Sequence, residues 1–147
     1  MSIASDIAAF NAKLDATIDS VMQGEVAEGA KKALRAATYS EVYAAYSPAF
    51  MSRRMDSGGL ADVGQMEATY GDKTLTIQDM ASWQQLYGGS APGGRLAEAI
   101  ASGDSRYHFD KAGPRPFHEE AEREFSASGE FENLLVAGLR AAGFKIL

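Results

Sequence analysis

Between Met66 and Ile77 the chain changes character at every second residue. Met66, Ala68 and Tyr70 are separated by Glu67 and Thr69, and Thr74-Leu75-Thr76-Ile77 repeats the alternation after Gly71-Asp72. A period of two is that of a β-strand with one face toward a core and one toward water. Two such runs about a short turn predict an antiparallel hairpin over about 64–79. Glycine at the first central position suits a type II′ turn. A lone hairpin is marginal in water, so its apolar face must be covered by something else in the chain.

The rest of the sequence offers helices for that cover. Ile7, Phe10, Leu14, Ile18, Val21 and Met22 recur at three- and four-residue steps, with Asp6, Lys13, Asp15 and Asp19 between them. This predicts an amphipathic helix with Ser5 as its N-cap. After an interruption at Gln23-Gly24, Val26, Ala30, Ala33, Leu34, Ala37 and Val42 continue the pattern, and Glu28 is spaced to reach Lys31 or Lys32 on an exposed face. Ser47-Pro48 ends the helical region, because the residue before proline is driven out of the helical conformation. The loop after it carries Arg53-Arg54 and Ser57-Gly58-Gly59-Leu60.

Past the hairpin, the glycine-rich stretch 88–94 breaks regular structure, and a short helix from Arg95 to about Ala101 ends at Gly103. Residues 105–110 alternate like a strand, through Tyr107 and Phe109. Pro116 fits the first turn of a further helix, in which Glu119 and Glu120 complement the positive helix end and Phe117, Ala121 and Phe125 share one face. Ser128-Gly129 separates it from a last helix running to Gly143. The fold class expected is therefore α+β: a long N-terminal helical region, a small antiparallel sheet and C-terminal helices. At 147 residues it forms one domain, 1–147. There is no internal repeat and no sustained coiled-coil heptad run.

Hydrophobic residues make up 46% and charged residues 23%, which is globular usage. With no cysteine there is no disulfide, thiolate metal site or cysteine nucleophile. A basic leader and an apolar membrane-length run are both lacking, so the expectation is a protein kept in aqueous surroundings. A net charge of −6 disfavours general nucleic-acid binding, which needs clustered Lys and Arg.

Catalytic patterns fail residue by residue. Gly89 to Leu96 has phosphate-loop glycine spacing, but Arg95 and Leu96 stand where lysine and Ser/Thr are needed. His118-Glu119-Glu120-Ala121-Glu122 opens like a zinc-protease helix, yet the second histidine is Glu122. His108, Asp110 and His118 remain as a loose alternative metal set. No nucleophile elbow accompanies the serines. The expectation is no catalytic residue, no metal and no cofactor. In Ala112-Gly113-Pro114-Arg115-Pro116-Phe117 two prolines hold Arg115 extended before a helix, which suits either a contact or a stiff joint with Phe117 as core anchor.

This order of features resembles the tail-component family of long-tailed phages, whose better-understood members are tail-completion proteins of the head–tail neck. The residues that carry the likeness are Gly58, Gly59 and Leu60 after the first helix, Tyr107 in a strand, and Pro114 to Phe117 opening a helix. The family's Thr-Gly-x-Leu reads Ser57-Gly58-Gly59-Leu60 here, and the chain continues into a further helix. The resemblance implies a non-catalytic virion subunit that forms a hexameric ring, with connector, tail-terminator or tail-tube proteins as neighbours. It implies residence in host cytoplasm before assembly. Arg53, Arg54, Gly58, Gly59, Leu60, Arg115 and Phe117 are the expected contact residues. The rival reading is a small acidic inhibitor of a host defence or nucleic-acid enzyme, which would gather its carboxylates on one surface rather than intersperse them with Lys and Arg.

Overall fold

In the computed structural model, residues 2–44, 57–84, 90–91, 93–103 and 113–147 are described. The architecture is α+β, as the alternating and helical periods predict. Helix α1 runs Ile3–Val21, passes through a π-helical turn at Met22–Val26 into α2 at Ala27–Ala37, and ends in a second π turn at Thr38–Tyr43. Gln23-Gly24 therefore does not interrupt the helix. A mid-helix glycine weakens it by only about 1 kcal/mol, and Val21, Met22 and Val26 are all buried around it. A π turn takes in one more residue and rotates the face downstream.

The cap of α1 also differs from expectation. Ser2, not Ser5, is the N-cap, its Oγ accepting the Ser5 N–H at 3.3 Å. The apolar period reaches back to Ile3, four residues before Ile7, so the helix starts a turn earlier.

Strands β1 (Met66–Gly71) and β2 (Thr74–Asp79) form the hairpin, antiparallel, with Tyr70 opposite Leu75 and Ala68 opposite Ile77. The turn is slipped by one residue from the expected one. Asp72 and Lys73 are its central residues, with φ of +50° and +59°, the type I′ arrangement. A turn centred on Gly71-Asp72 would set Lys73 against Tyr70 on the inward face. The observed register sets Leu75 there and leaves Lys73 in water. A two-residue pair, β3 (Trp83–Gln84) with β4 (Ser90–Ala91), reaches into the stretch read as an unstructured connector.

Helix α3 (Arg95–Ser102) ends at Gly103, whose left-handed φ of +68° lets the chain turn with no Cβ against the Gly113 carbonyl carbon, 2.9 Å from where one would stand. Helix α4 (Phe117–Ala127) begins just after Pro116, which is its N-cap rather than a first-turn residue, and buries Phe117, Ala121 and Phe125 as the spacing predicts. Helix α5 (Glu130–Ala141) lies across α1 and α2. Its Gly138 approaches Val21 so closely that a Cβ there would sit 2.5 Å from both valine methyls; at Gly29 of α2 a Cβ would meet Leu134 at 2.5 Å.

Two apolar clusters result. One joins Val21, Met22 and Val26 to Phe125, with Tyr70, Leu75 and Leu134 against it. The other gathers Leu34, Val42, Leu60, Met66, Leu96, Ile100 and Phe117. The long helical run thus supplies both clusters, and the hairpin closes over them. The expected strand at 105–110 and the pair Arg53-Arg54 lie outside the described residues.

Candidate functional site

Among the described residues of the expected contact set, Gly59, Leu60, Arg115 and Phe117 are buried and Gly58 is half-buried. Asp62 organises Gly58, Gly59 and Leu60: its Oδ2 accepts the Gly58 N–H at 2.7 Å, its Oδ1 accepts the Gly64 N–H at 2.9 Å, and its own N–H donates to the Gly59 carbonyl at 3.1 Å. These amide donors hold its carboxyl below the usual range. Leu60 is 3% exposed and belongs to the core, and Gly59 is buried. Tyr43 lies against the Leu60 and Ala61 backbone, and burial pushes its phenol up. The segment is a plug in the fold.

Of the two readings open for Arg115, a contact or a stiff joint, its burial favours the joint. Its fork does not point outward: the residue is 6% exposed, its side chain is engaged within the fold, and its backbone N–H donates to the Ala101 carbonyl at 2.9 Å. Phe117 is wholly buried. The Pro-Arg-Pro-Phe segment is a joint that fastens α3 to α4. Proline fixes a backbone direction but leaves the side chain's direction to tertiary packing.

Beside this joint is a cleft of about 540 Å³, lined among others by Gln78, Asp79, Glu98, Ser102, His118 and Glu119. Asp79 is 1% exposed; its Oδ1 accepts the Ala81 N–H at 2.9 Å while Oδ2 has no hydrogen-bond partner. Burial, assisted by the charge of Asp62, pushes its carboxyl up to about 6. His118 lies against the Phe117 ring, centroids 4.0 Å apart, and burial lowers its basicity. Both groups are thus held toward their uncharged forms. Of the loose metal set, His108 and Asp110 lie outside the described residues, and among the described residues no three His, Cys, Asp or Glu converge on a cation site. Asp79 escaped the sequence reading, although its parity with Leu75 and Ile77 marks it as a carboxylate on the inward face of β2.

The other exposed feature is apolar. The first half of α1 has no cover: Ile3 is 79% exposed, and Ile7 and Phe10 are 55% each. Phe144, beyond α5, meets the Phe10 ring edge-on at 5.8 Å, and the Lys13 ammonium lies 5.4 Å from the centre of the Phe144 ring. Leu147 adds a further exposed apolar side chain. Such large residues in one line are unusual on a monomer surface and mark a place for contact. No helix among the described residues is long and apolar enough to cross a membrane.

No curated protein and no solved structure matches the chain. A family model does, over residues 6–141, which takes in every helix and strand described above except the first three residues of α1. With that span matched, the chain belongs to the YomN family, whose name is that of a phage-derived protein.

Proposed function

We propose that this protein is a non-catalytic structural subunit of a tailed-phage particle, a member of a hexameric ring at the head–tail neck, made in the host cytoplasm and carried in the virion. The observation that carries the reading is the uncovered apolar line Ile3, Ile7 and Phe10 on a chain of a phage family. A subunit that must dock keeps a surface whose dehydration drives docking, at roughly 25 cal/mol per Å² of apolar area. In this role the protein uses no metal and no cofactor. Its neighbours are connector, tail-terminator or tail-tube proteins, with Arg53 and Arg54 as further contact residues.

The inhibitor reading fits less well, because acidic residues are interleaved with bases: Arg123 pairs with Glu120 at 2.7 Å on α4, and Lys31 with Glu28 at 3.2 Å on α2. The neck reading is tested by deleting the gene from its phage and imaging lysates by electron microscopy. Filled heads and tails that fail to join are expected. Normal numbers of joined, infectious particles overturn the proposal.

A further inference from the structure

The exposed line on α1 has a definite spacing. Ile3, Ile7, Phe10 and Leu14 are separated by four, three and four residues, which places them on one stripe about 17 Å long. Residues 2–13 are exposed without exception and Leu14 is half-buried. The fragment covers less than two heptads, too few to announce a coiled coil in the sequence. Its flanks differ sharply. On one side of the stripe stand Asp6 and Lys13, seven residues apart and so in line; on the other stand Ala4 and Asn11, uncharged.

We infer that in the free protein this stripe is covered by the α1 stripe of a second copy, the two helices running antiparallel. With Ile7 opposite Phe10 of the second copy and Ile3 opposite Leu14, four apolar layers close. The same register sets Asp6 beside Lys13 of the second copy, and the two-fold axis repeats the pair. A parallel arrangement sets Asp6 beside Asn11 and Lys13 beside Ile18, with no charge pair. The small residues Ala4 and Asn11 on the opposite flank let the helices approach. Charge complementarity thus selects both the occupant and its direction.

The inference stands apart from the neck reading, since the stripe needs cover whatever the particle position. A two-fold contact cannot close a ring, whose contacts run head to tail. The dimer is the state of the protein before docking, and assembly exchanges one apolar cover for another. A contact of one short helix pair falls below the usual area of a stable complex, so the dimer is weak and depends on concentration in the micromolar range.

Sedimentation equilibrium of the full chain, from micromolar to near-millimolar concentration, tests this. The wild-type protein should pass from monomer to dimer. Ile7→Glu should remain monomeric with an unchanged circular dichroism spectrum, since Ile7 makes no core contact. Asp6→Lys and Lys13→Asp should each weaken the dimer by about tenfold. The double reversal should restore it. Asp6→Lys makes the chain less negative, so if overall repulsion alone governed association it would tighten the dimer. A wild-type chain monomeric throughout overturns the inference. So does a dimer that Asp6→Lys leaves unchanged or tightens, or one that the double reversal fails to recover.

Discussion

Replacing Asp79 by Asn should make this protein more stable relative to wild type as the pH rises, and the size of the change follows from the burial of the carboxyl. The unfolded chain releases the Asp79 proton near 3.8, and the folded chain holds it to about 6. Between those values the folded state carries more protons than the unfolded, so wild-type stability falls as pH rises through this window. The penalty is absent below about 4 and complete above about 6. A difference of about two pH units corresponds to about 3 kcal/mol. Asn keeps the oxygen that accepts the Ala81 N–H but places an amide where Oδ2 lacks a partner, a fixed penalty of about 1–3 kcal/mol. That penalty does not depend on pH. Urea unfolding of both proteins at pH 4, 5, 6 and 7 isolates the titration, because all other groups, including the half-buried His118, are common to both. The stability of Asp79→Asn minus that of wild type should climb by about 3 kcal/mol from pH 4 to pH 7. A difference that stays flat refutes the assignment of Asp79 as a desolvated carboxylate.

Four further outcomes are expected. Phe117→Ala should cost about 3–5 kcal/mol in urea unfolding, since the ring is wholly buried. Arg115→Ala should also destabilise the fold, by more than the roughly 0.5 kcal/mol typical of surface positions, and so lower the melting temperature; an unchanged melt contradicts its role as an internal brace. Gly138→Val should weaken the fold by about 1–3 kcal/mol through collision with Val21, and Val21→Ala should relieve part of that loss when combined with it. Asp72→Asn with Lys73→Gly should stabilise the hairpin by about 1 kcal/mol, because both positions have positive φ; a loss of stability in a thermal melt contradicts the type I′ turn.

What the sequence discloses here is periodicity, and what it conceals is direction. Phe117, Ala121 and Phe125 lie on one buried face because four-residue spacing in a helix admits little else. The hairpin is legible for the same reason, yet its turn is one residue off, since the choice rests on keeping Lys73 out of the inward face. Gln23-Gly24 resembles a break because glycine's local weakness is visible and the burial of Met22 and Val26 is not. Arg115 was legible as rigid, but proline geometry is silent on whether its side chain turns in or out. The α1 stripe reads as amphipathic, and amphipathic helices ordinarily face their own core; only packing reveals that Ile3, Ile7 and Phe10 face open space. The cleft carboxylate Asp79 could be found from parity along β2, since it shares the inward face with Leu75 and Ile77 at the strand's end.

The central claim is a place in the virion, and counting copies in purified particles tests it most directly. Quantitative mass spectrometry of gradient-purified phage, with the major capsid protein as internal standard, should return this chain at about six copies per particle. Cryo-electron microscopy of the same particles should find its density between head and tail. A chain abundant in infected cells but lost from intact particles on purification contradicts the account.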